Sequence, residues 1–209
     1  MSKRLSKALA VPIFLLACGP LEVRVDQTKG LPSITGSVTV DVPANFTCGK
    51  TITQDAYTVT TTKTATGCSF AADQDVVLLK ASDYQGIPEL SGATNLVQRI
   101  ELTVTQLTFS DATTTPVTVL DPTNRVTSAT LSVNAQALIT SKTQLTSLPT
   151  TVTLSGTSLT SLKTAIDARM AASVHASAVV ELPDTPVPPA KLKIDYAVQP
   201  AIILGPGKI

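Results

Sequence analysis

The residues with the means to do chemistry are few. His175 is the only histidine. Asp73 and Asp75 form one close acidic pair, and Glu181 with Asp184 forms another. A serine-hydrolase site needs a serine on a strained turn beside a histidine and a carboxylate. His175 lies in "VHASAVVEL" (174–182), where alternation turns it away from the apolar face, and no G-x-S-x-G occurs. Paired carboxylates run glycoside hydrolysis when they converge across a cleft. Here "AADQDV" reads instead as a turn leading into a strand. A calcium site at Asp73 and Asp75 would need more oxygens than this pattern offers, and the EF-hand spacing is missing. Neither glycine-rich phosphate loop is present. The expectation is a non-enzymatic protein with no cofactor, no metal and no catalytic residue.

The three cysteines carry more information. Lys3, Arg4 and Lys7 precede an apolar run from Ala8 to Ala17. Ten residues are too few to span a bilayer, which takes about 20, and they match the core of a signal peptide. The run ends in Leu15-Leu16-Ala17-Cys18. This resembles the lipobox of bacterial lipoproteins, and the resemblance covers only the first 20 residues. It implies a signal peptide over 1–17, cleavage before Cys18, and acyl chains such as palmitate on Cys18. More than one chain suffices for stable anchoring without a transmembrane helix. By the Gram-negative sorting rule, Gly19 in place of Asp leans toward the outer membrane. The expected partners are therefore the membrane, reached through the anchor at Cys18, and envelope proteins or lipid.

The same resemblance implies an oxidising compartment. There a remaining pair, Cys48 and Cys68, is expected to form a disulfide. A metal or redox role would need nearby ligands or a C-x-x-C, and neither is present. Removing residues 1–17 takes away three basic groups and no acidic one, leaving a net charge of about −2. Nucleic acid is disfavoured as a partner, since no basic footprint exists.

The elements that must position these residues are mostly strands. Alternation runs through Leu21, Val23 and Val25, and through Val38, Val40 and Val42. "TITQDAYTVTTTKTAT" (51–66) is rich in threonine and reads as exposed edge strand or flexible loop. "DVVLLKA" (75–81) reads as a short buried strand. "QRIELTVTQLTFSD" (98–111) alternates at Ile100, Leu102 and Val104, then resumes out of phase at Leu107 and Phe109, which predicts a β-bulge near Thr105-Gln106. Residues 126–140 alternate through Ala129, Leu131, Val133, Ala135 and Ala137 as one strand. A helical stripe follows at Leu159, Leu162, Ile166 and Met170, with Ser158 or Ser161 as N-cap. The last strand is 191–200, and the tail "AIILGPGKI" is expected to make a final edge contact.

Many short strands with one amphipathic helix, about 158–172, predict an antiparallel β-sandwich in a single domain over 18–209. The best candidate sub-boundary is 82–97. Aromatic stacking platforms are not expected, since there is no Trp. Phe109 and Tyr196 are expected in the core, Phe46 and Phe70 against the disulfide, and Tyr57 and Tyr84 exposed. Two functions fit. The first is a lipid-anchored envelope protein with a structural or protein-interaction role. The alternative is a periplasmic carrier or binder of lipid or another hydrophobic ligand, held in an apolar cavity lined by small residues such as Ala176 and Ala178.

Overall fold

The computed structural model describes residues 22–43, 46–54, 57–91, 96–113, 115–120, 125–183 and 191–205. The expected signal peptide at 1–17, Cys18, Leu21, Asp184 and the last four residues of the tail lie outside them. The chain order is β1 (Val23–Val25), a 3-10 turn (Gln27–Lys29), β2 (Ile34–Asp41), β3 (Thr51–Gln54), β4 (Tyr57–Lys63) and β5 (Gly67–Leu79). Then come α1 (Asp83–Gly86), α2 (Pro88–Ser91), β6 (Val97–Asp111), β7 (Thr118–Val119), β8 (Ser128–Val133) and β9 (Gln136–Ile139). A second 3-10 turn (Lys142–Ser147), β10 (Thr150–Thr153), α3 (Gly156–Asp167), β11 (Ala172–Pro183) and β12 (Lys191–Leu204) complete it.

The strands form two antiparallel sheets, as a β-sandwich requires. In the first, β12 and β6 pair along almost their whole length, from Leu192 opposite Asp111 to Leu204 opposite Val97. Both flanks of this pair are broken strands. On one side β2 pairs with β12 from Lys191 to Val198, and β1 resumes from Ile202 to Leu204. On the other side β10 and β7 pair with β6. The second sheet has the order β3-β4-β5-β11-β8-β9. Inward residues of the two sheets, among them Leu102, Val104, Phe109, Leu192 and Ile194 against Val59, Phe70, Ala129, Leu131 and Val180, make the common core.

Several phase changes in the sequence now have causes. In β6, Gln106 is opposite Ala197 but Val104 is opposite Val198, so Thr105 is the extra residue of a bulge. Its hydroxyl donates to the Ala197 carbonyl at 3.2 Å. Pro200 sits in a central strand without breaking it. Its carbonyl accepts from the Gln27 side chain, so its peptide edge faces the gap between β1 and β2 and no ladder bond to β6 is lost.

Several expectations need correction. Residues 126–140 are not one strand. Asn134 and Ala135 both have positive φ and turn the chain back as a hairpin, leaving Ala135 and Ala137 exposed. "DVVLLKA" is the end of the 13-residue β5, and Val77 is exposed. The helix starts after Ser155, not at Ser158 or Ser161, and stops at Asp167. Ser158 is buried and donates to the Asn134 carbonyl. Met170 is past the helix and 56% exposed, so the buried stripe ends at Ile166. The described part of the tail is not an edge: Ala201 to Leu204 are buried in β12 and pair with β6, with β1 on the other side of Ile202 to Leu204. Tyr84 is buried in α1 rather than exposed, and its hydroxyl donates to the Met170 carbonyl at 2.9 Å.

Candidate interaction site

The residues singled out for chemistry are brought only partly together. His175 is opposite Asp75 across β11 and β5, with Nδ1 3.0 Å from the carboxylate. Asp73 lies on the same outer face, 3.8 Å from Nε2. All three are open to solvent, the Asp75 side chain most of all at 82%. An ion pair in this setting contributes little. Among the described residues, no group of three or more His, Cys, Asp or Glu is placed to hold a metal ion. Glu181 points elsewhere, accepting hydrogen bonds from the hydroxyls of Thr64 and Thr66. Those bonds hold its carboxyl below the usual carboxylate range. They tie the β4–β5 hairpin to β11, which is a structural use of the acid.

Cys48 and Cys68 are joined as a disulfide, with Cα atoms 5.9 Å apart. Phe46 and Phe70 stack beside it with ring centroids 5.7 Å apart.

A concavity lies elsewhere, at one open side of the sandwich. A crevice of about 380 Å³ runs between Pro32–Thr35, at the entry to β2, and Gln74–Leu78 of β5. Its existence follows from strand lengths. β11 covers all of β5, from Gly67 to Leu79. β4 covers only Cys68 to Asp73. Beyond Asp73, among the described residues, no strand pairs with that side of β5. Opposite stands β2, itself an edge of the first sheet.

Tyr196 closes the crevice on the inside. It projects from β12 between the sheets, and its hydroxyl lies 3.3 Å from Gln74 Oε1 on β5. Its ring covers Gly36, the residue opposite it in β2. A Cβ on Gly36 would sit 2.2 Å from the phenol oxygen and 2.3 Å from the ring carbon that bears it. Glycine is thus required by the ring above it. Gly36→Val is expected to cost about 1–3 kcal/mol through overpacking, and much less in a Tyr196→Ala background, where the ring is gone. Urea unfolding of the four variants measures this coupling; equal costs in both backgrounds would mean that the ring is not what excludes the side chain.

Behind Tyr196 the small residues Ala72, Ala176 and Ala178 leave a void of about 40 Å³. A further void under Ile100 and Ile166 is about 10 Å³.

The outer face of the first sheet carries an ion network. Arg24 donates to Glu101 at 2.6 Å and to Asp26 at 3.1 Å. Arg99 donates to Glu101 at 3.1 Å and to Glu22 at 3.1 Å. Ile203 lies between the two arginines in register and is buried, so their alkyl stems cover apolar surface. The guanidinium of Arg24, and after it that of Arg99, holds the Glu101 carboxyl below its ordinary value of 4.5. A carboxyl lowered on folding stabilises above its unfolded pKa and loses that contribution as pH falls through its folded pKa. Glu101→Gln is therefore expected to flatten the loss of stability below about pH 4.5, with little change in slope above it. Denaturant unfolding at a series of pH values tests it, and an unchanged acid limb would remove Glu101 from that role.

No family model matches the chain, no curated protein matches it, and no solved structure matches it. Fold and site therefore rest on the residues themselves. No helix among the described residues is long and apolar enough to cross a membrane.

Sequence reasoning missed both halves of this site. "AADQDV" reads as a turn, but Gln74 lies within β5, and the core position expected for Tyr196 does not reveal its inter-sheet bond. The only signal lay in "AADQDVVLLK" (71–80), which alternates across the supposed turn once Ala72, Gln74 and Val76 are taken as one face.

Proposed function

We propose that the protein is a lipid-anchored component of a bacterial envelope, attached to the outer membrane through Cys18, with a non-enzymatic structural or protein-interaction role. The lipobox-like "LLAC" supports the anchor. One structural observation carries the interaction role: among the described residues, the Gln74–Leu79 side of β5 has no strand partner and lies beside an open crevice. Unpaired strand edges are templates for another chain, and β-strand addition is a common mode of peptide recognition.

The carrier reading ranks second. Ligand sites typically enclose ~300–1,000 Å³, whereas the voids between the sheets are about 40 and 10 Å³. The 380 Å³ crevice is open and lined by Asp75, Lys80 and Asp83 as well as apolar residues, which suits a peptide backbone better than an acyl chain.

Native mass spectrometry of the full chain extracted from membranes separates the two. The interaction role expects no non-covalent lipid on the protein. One lipid retained per chain would overturn it in favour of the carrier.

A further inference from the structure

The geometry points to Gln74–Leu79 of β5 as a docking edge for an extended peptide strand with alternating basic and apolar residues. This rests on the interaction role proposed above and names its site and the chemistry of its partner.

The direction of the backbone groups follows from the ladder. Thr64 N–H donates to the Gly67 carbonyl, so Gly67 faces β4. The β4–β5 register is uninterrupted from Cys68 to Asp73. On the other side, the β5–β11 register is uninterrupted from Gly67 to Val77. Peptide groups alternate sides along a strand. Asp75 and Val77 therefore direct their N–H and C=O groups to the side that β4 has left. They offer two donors and two acceptors to an added strand.

Side chains alternate as well. Gln74 and Val76 point inward and line the crevice, while Asp75 and Val77 point outward and are exposed. An added strand must alternate in the same way. Its inward residues would enter the crevice between Val76, Ile34 and Tyr196, which favours apolar side chains. Its outward residues would lie beside Asp75, with Asp73 on the same face. Opposite charges on neighbouring strands attract, and like charges repel. The outward positions thus favour lysine or arginine. His175 and Lys80 are the nearby basic groups, and His175 is already engaged by the two aspartates. A second copy of this chain fits poorly, since edge-to-edge pairing would bring two sets of Asp73 and Asp75 together.

The test uses the full chain in detergent and two fluorescent eight-residue probes, (Lys-Val)₄ and (Glu-Val)₄. A third probe is (Lys-Val)₄ with alternate backbone nitrogens methylated, which cannot complete a strand ladder. The expected result is saturable binding of (Lys-Val)₄, at least tenfold weaker binding of the other two, and slowed hydrogen exchange confined to 74–79. Asp75→Lys should weaken (Lys-Val)₄ tenfold or more. Val77→Pro should do the same, since it deletes an N–H on the open side without touching the β11 ladder; an unchanged circular dichroism spectrum shows that each variant is folded. The inference is overturned if (Lys-Val)₄ fails to bind below about 1 mM, if the methylated probe binds equally, or if the chain instead dimerises through this edge. An acylated chain that binds no peptide would sink the edge alone. An unacylated chain that binds would sink the anchor alone.

Discussion

Phe70→Ala is expected to remove about 3–5 kcal/mol of stability, the range for truncating a fully buried aromatic ring. Phe70 is 1% exposed, and in the sheet it lies between Thr61 of β4 and Val180 of β11. Its ring fills the space between the sheets at the disulfide end and stacks on Phe46 at an interplanar angle of 25°. Such a contact adds about 0.5–1.5 kcal/mol beyond burial. The backbone there is bonded on both sides and cannot collapse into the hole. Urea unfolding should show a lower midpoint with an unchanged m-value. A loss below about 1 kcal/mol would mean that the ring is not packed as described.

Removing the disulfide is the second large effect. Cys48 and Cys68 are 20 residues apart in sequence, and closing a loop of that size is worth about 3 kcal/mol through the entropy of the unfolded chain. The double variant Cys48→Ala, Cys68→Ala should lose roughly that amount. The loss should appear first in β3 and β4, which supply little core of their own: Ile52, Val59 and the buried Thr61. Thr61 Oγ1 accepts from Gly49 and Lys50 N–H groups and donates to the Lys50 carbonyl. It thus pins the chain directly after Cys48, so the edge should loosen rather than detach. Hydrogen exchange should accelerate across 51–63 while β6 and β12 stay protected. Uniform acceleration would contradict this local role. Combined with Phe70→Ala, the cost should depart from additivity, because ring and bridge share one cluster.

Much of the sandwich was legible because alternation is a direct consequence of strand geometry. The β6 bulge could be read from Val104 and Leu107 alone, since a one-residue insertion is the way to restore an inward face after a phase slip. The threonine-rich stretch left strand and loop open, because threonine suits both; pairing with β5 decided it. The Asn134-Ala135 turn was missed because Ala135 carries no turn signal, and the alternation of Ala129 to Ala137 runs straight through it. The "AIILGPGKI" tail reads as an edge contact because the strand pattern reads as ending at Pro200. It is an interior residue, and its peptide faces the gap between β1 and β2. The docking edge could not be read at all. It depends on β4 being shorter than β5, a difference in pairing length that no local pattern encodes. Likewise Arg24 is distant in sequence from Arg99 and Glu101 and meets them only through the β1–β12–β6 register.

The anchor proposed at Cys18 is the central claim about where the protein works. The most direct test is the intact mass of the full chain purified from membranes, with the Cys18→Ala variant beside it. The expected mass is that of residues 18–209 plus acyl chains, less two hydrogens for the 48–68 disulfide, and the variant should lose both the acyl mass and the membrane association. A wild-type chain that still begins at Met1, carries no acyl group and fractionates as soluble would contradict the lipid-anchored envelope role.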